Sequence, residues 1–173
     1  AGTIIADGVL GFLDVNRLRV YDKGIRDGIM LAMIAERGAP PVAPSSSRAM
    51  AAVRRFAEAC RYERLHSEHV AKLSMRMFDQ LSRYQALPRR VSTAECRSML
   101  ETAAVLHDVG HLVNYAKHHK HSMRLIFNSD IRAFTPRQIA IIANISRYHR
   151  RAAPSSRHTR YKRLSRDDRG IVS

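Results

Sequence analysis

The chain has 173 residues, enough for one ordinary domain with a buried core and a small appendage. Its formal net charge of +15 at pH 7 and its pI near 11.0 predict attraction to polyanions such as nucleic acid, polyphosphate or nucleotides. Two cysteines cannot build a disulfide framework, and no apolar run approaches the roughly 20 residues that span a bilayer. Composition therefore predicts a globular, cytoplasmic protein without a membrane-spanning segment.

The first 38 residues predict a helix, a strand and a second helix. Residues 3–14 carry a helical apolar stripe, "RLRVYD" alternates like a short strand, and "KGIRDGIMLAMIAERG" predicts a helix that ends at Gly38. A unit of this size cannot close a core. We therefore expect an exposed apolar patch, covered by a missing N-terminal module or by a second copy of the chain in a homodimer. Residues 39–47, "APPVAPSSS", predict a linker because proline and serine dominate them.

Residues 48–173 predict a compact all-α domain. Helical apolar stripes are formed first by Met50, Val53, Phe56 and Ala57, and then by Leu65, Val70, Leu73, Met77, Phe78 and Leu81. Two capping boxes follow, one from Ser92 to Glu95 and one from Thr135 to Gln138, and each predicts a helix start. No strand pattern occurs between residues 45 and 151.

Histidine is concentrated in "LHDVGHLVNYAKHHKHS", residues 106–122, which holds five of the nine histidines of the chain. At the end of a helix, the consecutive side chains of His107 and Asp108 can turn toward one point. An earlier helix offers His66 or His69 as a third group. This nitrogen-rich, thiolate-free set predicts a divalent ion such as Zn, Mn, Fe or Ni, with Mg as a further candidate. The alternatives are a phosphate-binding patch or a helix-capping pair without metal.

These segments carry a family resemblance. "HSEHVA" followed by "AAVLHDVGH" looks like the first two elements of the HD superfamily of metal-dependent phosphohydrolases. The longer stretch from "LHDVGH" to "SRYHRRAAPSSRH" resembles the C-terminal HD-like region of the exopolyphosphatase/guanosine-pentaphosphate phosphatase family. "LDVNRLRVYDKGIRDGIML" resembles the last strand and helix of that family's actin-like phosphatase module. The resemblance implies an HD-like helical bundle at residues 48–173, preceded by a remnant of the actin-like domain.

The resemblance also implies roles for individual residues. His66, His107 and Asp108 match the first metal ligands of the signature, with His107 and Asp108 as the catalytic pair. His118 and His149 match positions where a second metal or a phosphate is held. The last aspartate of the signature has no counterpart, because the remaining candidates lack its surroundings: these are Asp130, Asp167 and Asp168.

Basic residues beside these histidines predict a phosphate-binding rim. Its expected members are Lys117, Lys120, His121, Arg147 and Arg150, with His111 and His119 as phosphate contacts or ordinary surface residues. The arginines of the C-terminal tail are expected to add only a general, salt-screened attraction.

Two functions fit these features. One is a hydrolase in which one or two divalent ions activate water against a phosphate ester or anhydride, with polyphosphate, guanosine pentaphosphate or a related nucleotide as substrate. The other is a non-catalytic accessory domain that binds polyphosphate or nucleotide on the same surface. Specific nucleic-acid recognition has only the net charge in its favour, because no recognition helix or aromatic sheet is predicted.

Overall fold

The structure is a computed structural model, which describes residues 46–83, 92–150 and 153–173. Within these ranges it is helical and contains no strand, so the expected mainly α-helical bundle is confirmed. The helices are α1 (Ser46–Ala59), α2 (Arg64–Leu81), α3 (Thr93–Leu106), a 3-10 turn (Val109–Leu112), α4 (His118–Phe127), α5 (Pro136–Arg147), α6 (Thr159–Lys162) and α7 (Arg166–Val172). Among these described helices, none is long and apolar enough to cross a membrane.

The N-terminal predictions lie outside the described residues. They comprise the helix–strand–helix unit at 1–38, the partner expected to cover it, and the linker except for its last two residues. Those last two, Ser46 and Ser47, already belong to α1.

Both predicted capping boxes start helices, but only the one at α5 forms both of its reciprocal hydrogen bonds. At α5, the Thr135 hydroxyl accepts from the backbone of Gln138, and the Gln138 side chain accepts from the Thr135 backbone N–H at 2.9 Å. At α3, the Ser92 hydroxyl accepts from the Glu95 N–H at 3.1 Å. The Glu95 carboxylate turns to α5 instead, where it accepts from Gln138 Nε2 at 3.0 Å. The Ser92–Glu95 pair therefore caps α3 through Ser92 and links α3 to α5 through Glu95.

Helix α3 is the centre of the bundle and packs against α1, α2 and α5. Its last five residues, from Thr102 to Leu106, are all buried. The largest fully buried apolar side chains lie on α3 or in the same core cluster: Met99, Val105, Leu106, Val53, Val109, Ile126, Ile141 and Ile142. Burial of this apolar surface is the main stabilising contribution to the bundle. The residues directly after α3 remain in this interior, since His107 and Val109 are buried and Asp108 is half-buried.

Helix α2 packs through a face that its apolar stripe predicted only in part. Its buried residues are Ser67, Ala71 and Met75, two of which are small enough to let the backbones of α2 and α3 approach closely. The predicted stripe is divided: Val70 and Phe78 pack against the core, whereas its other members are exposed, namely Leu65, Leu73, Met77 and Leu81. Periodicity identified the helix but only part of the face that packs.

The C-terminal helix is tied to the bundle by an ion pair. Asp168 is only 5% exposed, and its Oδ1 accepts from Arg137 at 3.0 Å from Nε and 2.5 Å from Nη2. The Ser165 hydroxyl caps the same helix by accepting from the Asp168 N–H. Asp168 therefore holds α7 against the start of α5.

We expect Asp168→Asn to lower the free energy of unfolding by about 2 kcal/mol, because a buried carboxylate paired with a guanidinium is lost. The matched control is Asp79→Asn, which removes the pair with Arg97 at a carboxylate side chain that is 49% exposed. There the loss should be much smaller, because solvent screens an exposed ion pair. Urea denaturation followed by circular dichroism measures both, and equal losses would contradict the role of the Asp168 pair.

Candidate metal centre

The ends of five elements meet at one point of the bundle. His107 is the C-cap of α3, and Asp108 opens the 3-10 turn that follows. His118 begins α4, and His149 comes two residues after the end of α5. His66 lies in the first turn of α2. All five predicted metal ligands are thus brought together.

One oxygen of Asp108 faces the other two of the first three predicted ligands, His107 and His66. His107 Nε2 lies 3.2 Å from Asp108 Oδ2, and His66 Nε2 lies 3.7 Å from the same oxygen. The two Nε2 atoms are 3.2 Å apart. These separations place three donor atoms around a space that a single divalent ion could fill.

The other oxygen of Asp108 faces the remaining two histidines. His118 Nε2 lies 3.1 Å from Oδ1, and His149 Nε2 lies 3.5 Å from it. These two imidazoles are 3.3 Å apart at their Nε2 atoms, with their rings stacked. The two oxygens of one carboxylate therefore point toward two separate sets of nitrogen donors.

Carbonyl groups near helix ends orient three of these rings. The Nδ1 atoms of His107, His118 and His149 lie 2.8, 3.0 and 2.6 Å from backbone oxygens. Each oxygen belongs to the residue three positions earlier, and two of the three lie in the last turns of α3 and α5, where carbonyls lack partners within the helix. An Nδ1–H that donates there leaves the Nε2 lone pair directed at Asp108.

Charge at the centre favours a bound cation. Burial disfavours the ionised form of Asp108, but the neighbouring histidines, His107 foremost, outweigh it and lower the pKa of the carboxyl to about 2. Burial likewise opposes the charged form of His107, yet Asp108 and the Ala104 carbonyl raise the pKa of its imidazole. A proton on His107 and a metal ion are therefore alternative ways to place positive charge beside Asp108.

A buried atom of Asp108 also fits a metal ion. Asp108 Oδ1 is inaccessible to solvent and has no hydrogen-bond partner. A buried carboxylate oxygen without a partner is costly, and coordination to a cation would satisfy it. The donor set of imidazoles and one carboxylate suits Zn, Mn, Fe or Ni better than an all-oxygen ion such as Mg.

The structure adds His111 to this centre. A ligand nitrogen of His111, one of His118 and a carboxylate oxygen of Asp108 all lie within 4.8 Å of one another. The sequence predicts His111 only as a phosphate contact or an ordinary surface residue. Its spacing from Asp108 is a signal in the sequence that could have indicated a ligand position, because residues three apart in a 3-10 turn lie on the same side.

Other candidates lie elsewhere. His69, the competing choice for His66, is exposed and belongs to neither group of candidate ligands in the described residues. Asp168 pairs with Arg137, and Asp130 pairs with Arg132. Asp167 is likewise absent from both groups, so Asp108 is their only carboxylate within the described ranges.

Four predicted phosphate-binding residues line one cavity beside the centre. Its volume is about 220 Å³, and its walls are Lys117, Lys120, Arg147, Arg150, His119, Tyr148 and His158. His121 is not among them. The His119 ring lies 5.9 Å from that of His118, so the cavity, here called the cationic cavity, borders the candidate ligands.

An adjoining cavity of about 440 Å³ shares Lys120 and Arg147 with the cationic cavity. Arg124, Arg157 and Arg160 contribute further positive charge to its walls. Two tail arginines, Arg157 and Arg160, thus line a defined cavity. The sequence could not reveal this, because their position depends on how α6 packs against α5.

Gly110 allows the 3-10 turn to approach α4. A Cβ atom at this position would lie 2.2 Å from the His118 carbonyl oxygen and 2.4 Å from the Ser122 nitrogen. The Gly110 N–H also donates to the Ser122 hydroxyl at 2.9 Å. Because the conflicting atoms belong to the backbone of α4, the absence of a side chain lets His118 reach Asp108.

Comparisons with known proteins match the part of the chain that contains this centre. Residues 49–172 match the family described as Ppx/GppA phosphatase, domain III. A guanosine-5'-triphosphate,3'-diphosphate pyrophosphatase of Vibrio parahaemolyticus is 24% identical over 151 residues, and its namesake in Vibrio campbellii is 23% identical over 150 residues. A protein of the same name from Pseudoalteromonas translucida is 19% identical over 150 residues. The alignments cover 87% of this chain but 28% of each relative's length.

We expect Gly110→Ala to destabilise the bundle by about 1–3 kcal/mol, because the added methyl group forces α4 away from the 3-10 turn. The same change should weaken metal binding, since His118 moves with α4. The control is Gly170→Ala, at an exposed position of α7, which should leave stability unchanged or slightly raised. Thermal unfolding with and without added Mn²⁺ tests both variants, and a neutral Gly110→Ala would contradict the close approach.

Proposed function

Because the chain belongs to the Ppx/GppA phosphatase family, we propose that its helical domain is a metal-dependent phosphohydrolase site of the HD type. The reaction is hydrolysis of a phosphate ester or anhydride, with polyphosphate or a phosphorylated nucleotide as substrate. The observation that carries this proposal is Asp108, whose two carboxylate oxygens face two sets of imidazole nitrogens.

Each side of Asp108 has a role in this proposal. His66, His107 and Asp108 hold the first ion, and His118 with His149 holds a second ion or a substrate phosphate. A divalent ion held by these residues would supply an activated water molecule and positive charge beside the phosphoryl oxygens. The protein orients the ligand nitrogens through carbonyl contacts, which removes the need to reorganise them when substrate binds.

The cationic cavity supplies the remaining part of the substrate site. Lys117, Lys120, Arg147 and Arg150 carry permanent positive charge next to the proposed metal ligands. Such groups bind the phosphates that are not being cleaved and stabilise charge on the leaving group. Burial, followed by the nearby charge of Arg147, lowers the pKa of His119 to about 4, so this side chain stays neutral within the cavity. The name of the relatives specifies a guanosine that carries a triphosphate and a diphosphate. A cavity lined by several cationic side chains suits a ligand with several phosphates.

An accessory binding domain is the second candidate. Within the described ranges, Asp108 is the only carboxylate in either group of candidate ligands, whereas the HD signature contains a further aspartate. With fewer ligands, the same centre and cationic cavity could bind polyphosphate or nucleotide without turnover. Both functions predict phosphate binding, but only the hydrolase predicts metal-dependent release of orthophosphate or pyrophosphate from bound substrate.

We expect purified protein to contain a stoichiometric divalent transition metal and His107→Ala to lower that content by about tenfold or more, because a buried ligand is lost. His69→Ala is the matched control, since His69 lies on the same helix as His66 but outside the candidate ligands. Elemental analysis measures the metal, and phosphate release with Mn²⁺ or with chelator measures turnover. Metal-free wild-type protein, or unchanged metal in His107→Ala, would eliminate the metal site; metal without turnover would favour the accessory function.

We expect long-chain polyphosphate to bind in a strongly salt-dependent manner. The double variant Lys117→Ala/Arg147→Ala should weaken binding by about tenfold or more, because each charge-assisted contact with phosphate contributes about 1 kcal/mol. The control pair is Arg163→Ala/Arg166→Ala, whose side chains line neither cavity described above. Titrations at two salt concentrations compare the variants. Equal losses would indicate general charge attraction, and equal binding of duplex DNA at matched salt would remove polyphosphate as the preferred partner.

A further inference from the structure

An exposed aromatic side chain lies against the second side of the candidate metal centre. The Tyr115 ring stacks on the His111 ring, with centroids 5.1 Å apart and planes inclined by 24°. The His111 ring in turn meets the His118 ring edge-on, at 4.2 Å between centroids. Tyr115 itself is 76% exposed, so its ring contributes little to the core. Its position needs an explanation other than burial.

The same tyrosine also contacts the other imidazole through its backbone. The Tyr115 carbonyl oxygen lies 3.0 Å from His118 Nδ1. The ring of Tyr115 therefore contacts His111, and its carbonyl contacts His118. These are the two imidazoles that join Asp108 in the second group of candidate ligands.

Local contacts hold Tyr115 in this position. The Asn114 side chain accepts a hydrogen bond from the Ala116 N–H at 2.7 Å, across Tyr115. Lys117 adopts a left-handed conformation, with φ of 60°, and turns the chain into α4 at His118. This conformation is uncommon for a residue other than glycine, and it persists where surrounding contacts determine the backbone. The segment is thus shaped before any ligand arrives.

We propose that His111 is a ligand of a second divalent ion at Asp108 Oδ1 and that Tyr115 is the residue that positions it. The inference rests on the proposed function, since it presumes a first ion on the Oδ2 side. Asp108 Oδ1 is the buried oxygen without a hydrogen-bond partner, and His118 Nε2 already faces it at 3.1 Å. His111, His118 and Asp108 form a set of three donor groups, whose ligand atoms all lie within 4.8 Å of one another.

Each ion position combines a buried imidazole with an exposed one. On the Oδ2 side these are His107 and His66, and on the Oδ1 side they are His118 and His111. Because His111 is exposed, the stack with Tyr115 is what limits the freedom of its side chain. The second ion should therefore be lost selectively when the stack is removed.

The test is Mn²⁺ binding to the full chain after its metal has been removed by chelation. Calorimetry and elemental analysis count the ions, and electron paramagnetic resonance detects the magnetic coupling of two adjacent Mn²⁺ ions. We expect two ions for the wild type. Tyr115→Ala and His111→Ala should weaken the second by about tenfold or more, leave the first unchanged and abolish the coupling.

Two further variants make the outcome specific. Tyr115→Phe should retain both ions, because it keeps the ring and the backbone carbonyl, and His69→Ala should behave as wild type. A wild type that binds one ion, lost in His107→Ala, would overturn the second position and leave the proposed function standing. A wild type that binds none would overturn both. Two ions with Tyr115→Ala unchanged, or with Tyr115→Phe as impaired as Tyr115→Ala, would overturn the positioning role of the ring.

Discussion

The arrangement of the helical domain depends on one carboxylate. Asp108 follows the buried helix α3, and a carboxylate in that setting requires compensating positive charge or hydrogen bonds. Imidazoles from α2, α3, α4 and the end of α5 surround it, so four helices contribute to its environment. The packing that buries α3 thus also creates a place where a cation is favoured. Stability and the candidate chemistry have the same structural origin.

The negative charge of Asp108 and the positive charges of the cationic cavity lie in neighbouring parts of this domain. The centre combines a carboxylate of low pKa with imidazoles, one of which, His149, has its pKa lowered chiefly by burial. The cationic cavity beside it carries lysine and arginine side chains. Under the proposed function, a phosphate chain would place one group at the centre and its neighbours in the cavity, where no carboxylate lines the wall. The large net positive charge of the chain would increase the encounter rate with such a ligand.

Local signals predicted much of the fold but not its packing. Helix signals depend on neighbours only a few residues away in the chain. They include the caps at Ser92 and Thr135, Pro136 at the first turn of α5, and the helical periodicity. The structure contains the helices that these signals predicted. The direction of the Glu95 side chain and the buried face of α2 were not predictable in this way. Both depend on which helix lies opposite, and that choice follows from the fit of whole helix surfaces.

The sequence by itself determined the principal residues of the candidate centre, because His107 and Asp108 are adjacent and the resemblance supplied His66, His118 and His149. It also identified the four basic residues of the cationic cavity. Only the tertiary structure decided that both oxygens of Asp108 face imidazole nitrogens, that His111 lies near His118 and Asp108, and that Arg160 lines an adjoining cavity. Residue type sets what a side chain can bind, but the convergence of donor atoms depends on distances between helices far apart in the chain.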